Sequence, residues 1–149
     1  MKNIFYTTLS LIFIMSSSQL RAQSKLSFDH LAIIVKDVDV AAEFYAEVLG
    51  LEEIDCPLDP AIRRWFSMGG NVALHLIEEE KLKHKRHKSA HFALFTDDFD
   101  LLMEKLQTKK IQYSTWKGEK NKFTVRPDGV RQLYIQDPYK NWIEINENR

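Results

Sequence analysis

An internal repeat is the feature of this sequence that most restricts its possible folds. The segment HLAIIVKDV at 30–38 corresponds, position by position, to HFALFTDDF at 91–99. Each copy starts with a histidine, continues as a short apolar segment of strand-like character, and leads through an aspartate into a helical pattern. The repeat therefore predicts two copies of one structural unit within a single chain.

Each copy is predicted to be a βαβββ unit. In the first copy, a strand at 28–36 alternates on a two-residue period, and Asp37 can cap a helix that runs to about Leu49 before Gly50. The next two strands, at 52–56 and 63–68, precede a hairpin at Gly69-Gly70 and a last strand at 71–78. The second copy repeats the pattern, with a strand at 90–96, a helix at 98–107 and strands at 111–116, 130–136 and 141–146. The fold class is therefore α+β, with paired βαβββ modules.

The first 22 residues have the pattern of a secretory signal peptide. Lys2 gives a positive start, the segment 4–15 is largely apolar, and Ala22 offers a small residue at the cleavage point. The apolar segment is shorter than the roughly 20 residues that a membrane-spanning helix needs, so we expect no stable membrane span after cleavage. The sequence thus predicts an exported protein, periplasmic or secreted.

The rest of the chain is predicted to be one domain at 27–149. Module one covers about 27–79, a charged linker covers 80–88, and module two covers about 89–149. Removing residues 1–22 takes away two basic residues and no acid, which changes the formal net charge from zero to −2. That balance gives no reason to expect a nucleic-acid partner. Cys56 is the only cysteine, which excludes an intrachain disulfide.

Four potential metal ligands occupy corresponding places in the two modules. His30 and His91 open the first strands, while His75 and Glu144 lie between apolar neighbours on the last strands. Strand alternation puts all four on the face opposite the one that a helix would cover. Any one of them, taken alone, is more typical of a packed core or surface residue. Together, three imidazoles and one carboxylate suit one divalent transition metal ion, such as Zn, Ni, Co, Fe or Mn.

Several motifs resemble those of a known family. They are FDHLA at 28–32, FYxxVLGL at 44–51, YIQDP at 134–138 and WIEI at 142–145. In this combination the chain is similar to the vicinal oxygen chelate superfamily, which includes glyoxalases, bleomycin-resistance proteins and extradiol dioxygenases. The resemblance implies a curved, partly open mixed sheet around a central metal site. It also implies a homodimer, because members of this size usually dimerise and often complete the cavity from both subunits.

The resemblance also carries over to the four candidate ligands. His30, His91 and Glu144 fall on the recurrent ligand positions of the family. His75 falls on the fourth position, which is often Glu or Gln in glyoxalase I. The histidine keeps a metal ligand but removes one negative charge, so the sequence argues against glyoxalase I activity in particular.

The function implied is that of a metal-dependent lyase or isomerase of glyoxalase type. A small substrate with two neighbouring oxygens would chelate the metal, and Glu144 is the candidate catalytic base. One alternative is a small-molecule sequestering protein of the bleomycin-resistance type, metal-free or metal-assisted. Another is an extradiol-type dioxygenase, although the chain lacks the expected upstream histidine and has Lys140 where a turn glycine is usual. A fosfomycin-resistance type of addition ranks lower, since its potassium and phosphonate ligands are not found.

Three further residues are candidates for substrate contact. Tyr134 and Trp142 are aromatic residues on the closing strands, and the guanidinium of Arg64 could bind a carboxylate or phosphate. Each of them could equally be a packing or surface residue. The basic segment 81–88 follows three glutamates and is predicted to be a solvated connector, with anion capture near the cavity as the alternative.

Overall fold

The structure is a computed structural model that describes residues 26–81 and 86–148. The predicted signal peptide at 1–22 and the middle of the predicted linker lie outside the described residues. The described elements follow the predicted order of two successive βαβββ units, with one additional short strand in the second. They are β1 His30–Val35, α1 Val38–Glu47, β2 Glu53–Ile54, β3 Arg63–Ser67, β4 Ala73–Glu78, β5 His91–Thr96, α2 Phe99–Thr108, β6 Tyr113–Ser114, β7 Thr124–Val125, β8 Arg131–Gln136 and β9 Trp142–Glu147.

Each module forms its own mixed sheet. In module one the strand order is β1-β4-β3-β2, with β1 and β4 parallel and the other pairs antiparallel. Module two repeats this as β5-β9-β8-β6, with β5 and β9 parallel and β7 added beside β8. The predicted α+β class is therefore confirmed. The sequence did not predict β7, because two residues are too short to reveal an alternating pattern.

Both helices begin at the predicted aspartates. The carboxylate of Asp37 accepts hydrogen bonds from the backbone N–H groups of Asp39 and Val40, each at 3.0 Å. The carboxylate of Asp98 accepts one from Leu101 at 2.8 Å. These caps satisfy N–H groups that have no partner inside the helix. They hold each helix directly after the first strand of its module.

The core lies between the sheets and the helices. Alternate residues of the central strands point into it, and Val35, Leu74, Leu133 and Ile143 are completely buried. Burying a side chain of this size contributes about 1.5–3 kcal/mol. Because strand alternation commits these residues to the core, the intervening residues occupy the opposite face, where the candidate ligands lie.

A buried carboxylate ties the two modules together. Asp137, on the turn between β8 and β9, accepts a hydrogen bond from the hydroxyl of Tyr45 on α1 at 3.0 Å and one from the amide of Asn141 at 2.6 Å. The Asn141 amide also lies 3.4 Å from the carbonyl of Ile34 on β1. Burial raises the pKa of Asp137, and these hydrogen bonds only partly oppose that effect. No helix among the described residues is long and apolar enough to cross a membrane.

Candidate metal centre

The repeat extends to the register of the strands that carry the candidate ligands. In module one, His75 of β4 lies opposite Ala32 of β1, two positions after His30. In module two, Glu144 of β9 lies opposite Ala93 of β5, two positions after His91. The small alanine side chain leaves room above the sheet for the ligand residues on either side. Each module thus holds one pair of potential ligands, at equivalent positions.

The pair in module two has the spacing of two ligands on one ion. His91 Nε2 lies 3.1 Å from Glu144 Oε2. An ion bound at about 2.0–2.2 Å from each atom would hold a nitrogen and an oxygen at a similar separation. The spacing of this pair is therefore compatible with two ligands of one ion.

Hydrogen bonds orient both members of this pair. His91 Nδ1 lies 2.7 Å from the carbonyl oxygen of Lys88, and a proton on Nδ1 would leave the lone pair of Nε2 free for a metal. Glu144 Oε1 accepts from the amide of Asn146 at 2.7 Å, and Oε2 accepts from the hydroxyl of Tyr134. Such outer contacts fix the direction in which ligands point.

The same contacts set the charge state of the carboxylate. Burial acts to raise the pKa of Glu144, but hydrogen bonds from Tyr134 and Asn146 and the nearby His91 outweigh it, so the pKa is lowered. Burial, together with the hydrogen bond to Glu144, raises the pKa of Tyr134. Glu144 is therefore ionised at neutral pH, and Tyr134 stays a protonated donor beside it.

The pair in module one has a different arrangement. The imidazole rings of His30 and His75 are stacked, with centroids 4.1 Å apart and planes 13° apart. Trp65 stacks on the other side of His75, with centroids 4.0 Å apart. Burial, and then the neighbouring His30, lowers the pKa of His75, so its ring is neutral at neutral pH. The indole N–H of Trp65 is buried and has no hydrogen-bond partner in the described part of the chain.

Within a single chain the four predicted ligands form two separate pairs, and their common site stays a prediction. Within residues 26–81 and 86–148, no three His, Cys, Asp or Glu side chains lie close enough to hold a metal. Strand register brings ligands together within each module, whereas the distance between the two pairs depends on how the modules pack. The donor set, three imidazoles and one carboxylate, still fits a divalent transition metal as two half-sites. In the first half-site one imidazole must rotate, because an ion cannot lie in the planes of two stacked rings.

The three predicted substrate contacts have different surroundings. Arg64 lies opposite Leu76, on the helix-covered face, and its guanidinium is paired with Glu53 and with Asp39 of α1. The structure therefore places Arg64 away from the ligand-bearing face. Tyr134 and Trp142, by contrast, line a cavity of about 530 Å³ on module two.

Lys88 lines the same cavity, which agrees with the alternative for segment 81–88, anion capture near the cavity, rather than with the favoured solvated connector. Its ammonium lies 4.5 Å from the ring centroid of Trp142 and 5.1 Å from that of Tyr134, and burial lowers its pKa. The residue was assigned to a solvated connector because it lies in a run of charges. Its position three residues before His91 was the available signal, since a residue so close to a strand that carries a ligand is held near the site.

Comparison with known proteins agrees with this architecture. A family model described as the Glyoxalase/Bleomycin resistance protein/Dioxygenase superfamily matches residues 27–145. Uncharacterized protein YwbC of Bacillus subtilis is 30% identical over 126 residues, covering 78% of this chain and 94% of that protein. Glyoxylase I 4 of Arabidopsis thaliana is 27% identical over 127 residues, covering 80% and 69%.

Solved structures give the same result. A glyoxalase family protein from Bacillus anthracis is 28% identical, with a TM-score of 0.67 over 85% of this chain and 98% of that one. Lactoylglutathione lyase from Agrobacterium tumefaciens, at 22% identity and a TM-score of 0.62, covers 85% and 96% and supports the fold alone. The chain belongs to the glyoxalase, bleomycin-resistance and dioxygenase superfamily.

Proposed function

We propose that this protein is a metal-dependent enzyme of glyoxalase type, a lyase or isomerase. Its substrate would be a small molecule with two neighbouring oxygens, such as a 2-hydroxycarbonyl compound or its thiol adduct. The observation that carries the proposal is the His91–Glu144 pair. His91 Nε2 lies 3.1 Å from Glu144 Oε2. The hydrogen bond from His91 to the carbonyl of Lys88 and the one from Asn146 to Glu144 orient the two side chains. A carboxylate held in this way is ready to bind a metal or to accept a proton.

The metal would be held by His30 and His75 of one subunit and by His91 and Glu144 of the partner in a homodimer. Two-fold symmetry would complete two equal sites, because each copy supplies one half-site to each. The exposure of the ligand-bearing face supports this arrangement. Phe95 lies on the same face of β5 as His91, yet 73% of it is exposed. An apolar residue in that position is typical of a surface that a second copy covers.

The chain's own residues account for the proton transfer. When bound, the ion would supply positive charge that stabilises negative charge developing on the substrate oxygens. Glu144 would accept the proton from the carbon next to the carbonyl, since its lowered pKa keeps it ionised. Tyr134 and Asn146 hold its two oxygens in place and would be positioning residues.

Metal dependence is tested with chelator-treated protein. Calorimetric titration with Zn²⁺, Ni²⁺, Co²⁺, Fe²⁺ and Mn²⁺ measures stoichiometry, and NMR follows the turnover of dihydroxyacetone and of the glutathione hemithioacetal of methylglyoxal. We expect one ion per chain and turnover only after metal addition. If the metal-loaded and metal-free proteins behave identically towards both substrates, the proposal is wrong.

Sharing of the site is tested by mixing two defective variants. One carries His30→Ala and His75→Ala, and the other carries His91→Ala and Glu144→Gln. Each homodimer should bind no ion at the site. In the purified mixed dimer one site has all four ligands, so we expect about half an ion per chain and restored turnover. A mixed dimer that stays inactive would contradict a site built from both subunits.

A second candidate function is small-molecule sequestering of the bleomycin-resistance type. The separation of the four ligands into two pairs within one chain favours it. It predicts no stoichiometric ion in the metal titration, together with ligand binding that a chelator does not change. That outcome would replace the enzymatic proposal.

Export remains a proposal that rests on residues 1–22. The cleavage point at Ala22 predicts a mature chain that begins at Gln23. Mass spectrometry of the N-terminus of the protein, purified from the compartment in which it accumulates, tests this. An intact first segment on the accumulated protein would contradict it.

A further inference from the structure

The cavity on module two is lined by an unusual concentration of positive charge. The whole chain has 21 basic and 21 acidic side chains, so charge is balanced overall. Four lysines nevertheless line this one space of about 530 Å³. They are Lys88, Lys110, Lys120 and Lys140, and we refer to the space as the lysine cavity.

The four lysines are not paired with carboxylates in the described part of the chain. Asp137 is the one acidic residue in the lining, and both of its oxygens are already used. Oδ1 accepts from the backbone of Tyr139 and Asn141, and Oδ2 accepts from Tyr45 and the Asn141 amide. One carboxylate therefore accompanies four lysines in this lining, which leaves an excess of positive charge that an anion could neutralise.

Lys88 is the deepest of these lysines and is held by neutral groups. Its Nζ lies 2.8 Å from the carbonyl of Thr115 and, at longer range, 3.2 Å from Ser114 Oγ and 3.4 Å from the carbonyl of Trp116. These contacts fix its position without cancelling its charge. The two longer contacts are the ones that a stronger, charged acceptor would replace.

The backbone at the rim is a second, independent observation. Lys110 and Lys140 have φ angles of 55° and 68°, in the left-handed region that favours glycine. Both side chains line the lysine cavity. Lys110 follows the C-terminus of α2, where a left-handed residue is common, whereas Lys140 places its charge at a turn position that glycine would occupy with less strain. A structural turn alone would not need lysine in either place.

We propose that the lysine cavity binds the anionic group, a carboxylate or a phosphate, of the substrate. Lys88 would be the deep contact and Lys140 a contact at the rim. Tyr134 joins this space to the metal half-site, because its ring lies beneath the Lys88 ammonium and its hydroxyl donates to Glu144. An anion bound at Lys88 would thus direct the rest of the molecule towards Glu144. The assignment of the anion as part of the substrate rests on the function proposed above.

Direct binding to the metal-free full chain tests the proposal without requiring turnover. The probes are benzoate and phenyl phosphate, with benzyl alcohol as a neutral analogue of the same shape, and isothermal titration calorimetry measures each affinity. We expect at least one anion to bind about tenfold more tightly than benzyl alcohol, and the difference to shrink as salt is added. The stronger of the two anions identifies the group. Equal binding of the neutral probe, or no binding of either anion, would overturn the proposal.

Two variants and a matched control locate the site. Lys88→Met and Lys140→Gly should each weaken binding of the preferred anion, by about tenfold for Lys88. Asn121→Gly is the control, because Asn121 also has a positive φ, 53°, but lies outside the lining. It should leave anion affinity unchanged. If Lys88→Met does not fold, Lys140→Gly still decides, and unchanged binding in the folded variants would overturn the proposal.

The two proposals can fail separately. Anion binding that depends on Lys88 and Lys140, in a protein that shows no metal-dependent turnover, would remove the enzymatic proposal and keep the anion site. Metal-dependent turnover with unchanged anion affinity in both variants would remove the anion site and keep the enzymatic proposal.

Discussion

The two modules carry their potential ligands at the same register positions but hold them in different ways. In module two, His91 and Glu144 face each other; His91 donates to the carbonyl of Lys88, and Glu144 accepts from the amide of Asn146. In module one, His30 and His75 are stacked on each other, with Trp65 as the next ring in the stack. The duplicated fold thus provides equal positions, and the side chains around those positions decide how well each pair is oriented.

This difference has an energetic meaning for ligand binding. A pair that already has its bound geometry does not lose further conformational freedom, whereas a stacked pair must break its stack before both rings can face one ion. Module two also supplies the negative charge, because its carboxylate is ionised while His75 is neutral. We therefore expect metal affinity to depend more on module two than on module one.

The strongest test of the comparison replaces one ligand in each module by glutamine. Glu144→Gln and His75→Gln both leave an uncharged oxygen donor, but only the first removes a negative charge from the ion. We expect Glu144→Gln to lower metal affinity at least about 100-fold, beyond the effect of losing an outer contact, and His75→Gln to lower it by about tenfold. Competition with a coloured chelator measures both affinities.

Folding must be intact for that comparison to hold. Circular dichroism and the unfolding temperature of the metal-free variants provide the control, since neither substitution changes side-chain volume greatly. An equal loss of affinity in both variants would mean that the modules contribute alike, despite their different geometry.

The second test concerns the buried carboxylate of Asp137, whose hydrogen bond from Tyr45 connects the two modules. Asp137→Asn keeps the shape of the side chain, but its amide would face the amide of Asn141, so a buried hydrogen bond is lost. We expect a loss of about 2 kcal/mol in the free energy of unfolding, measured by urea denaturation. Tyr45→Phe removes only the hydroxyl donor and should cost less, which makes it the graded control.

The effect of Asp137→Asn should also depend on pH. Burial raises the folded-state pKa of Asp137, so the stability this group contributes is fully present below its ordinary value of 3.8 and is lost as pH rises through the raised value. Asparagine does not titrate. The destabilisation caused by the substitution should therefore be smaller at neutral pH than at acidic pH. A pH-independent difference would mean that the hydrogen bonds to Asp137 cancel the effect of burial on its pKa.

The third test addresses the outer contacts directly. Tyr134→Phe removes the hydroxyl that donates to Glu144 but keeps the ring that packs against His91. We expect about a tenfold loss of metal affinity. Trp65→Leu, the counterpart in module one, should cause a smaller loss because it removes a stack and no hydrogen bond to a ligand. A larger loss from Trp65→Leu would mean that the stack orients His75 for binding.

The sequence was sufficient to predict the fold because local signals and the repeat agree. Asp37 and Asp98 mark both helix starts, and strand alternation separates the core face from the ligand face. The two-residue strand β7 was missed, since it makes one short pairing with β8 and has no periodic pattern of its own. A strand that forms only through such a pairing has no pattern in its own residues from which it could be predicted.

The candidate site could be predicted only in part. Alternation predicts that His75 lies on the same face as His30, and Glu144 on the same face as His91. It does not predict the distance between the two sheets. The division into two pairs, and the pairing of Arg64 with Glu53, depend on tertiary packing. For Lys88 the sequence left two alternatives, a solvated connector or anion capture near the cavity, because a run of charges does not show whether its last residue is solvated or packed against aromatic rings.

The smallest expected effect comes from the turns between the last two strands of each module. Module one has Gly69 and Gly70 at positive φ, 94° and 56°, whereas module two has Lys140, with φ at 68°, one position later than Gly70 in a turn of the same length. The left-handed conformation costs a side-chain-bearing residue about 1–2 kcal/mol, and glycine loses about 0.5–1 kcal/mol more backbone entropy on folding. Lys140→Gly should therefore stabilise the fold by about 0.5 kcal/mol in urea denaturation.

The reciprocal change is its control. Gly70→Ala should destabilise by a similar or slightly larger amount, since nothing lies within 4 Å of the added carbon and only the backbone conformation is affected. If Lys140 makes the fold less stable than glycine would, the reason for lysine at this position is the function of its positive charge. If Lys140→Gly stabilises the protein and also weakens anion binding, Lys140 lowers the stability of module two but contributes its charge to anion binding. If it stabilises the protein and leaves anion binding unchanged, the two turns differ only in sequence, and the contrast between the modules is confined to the ligand pairs.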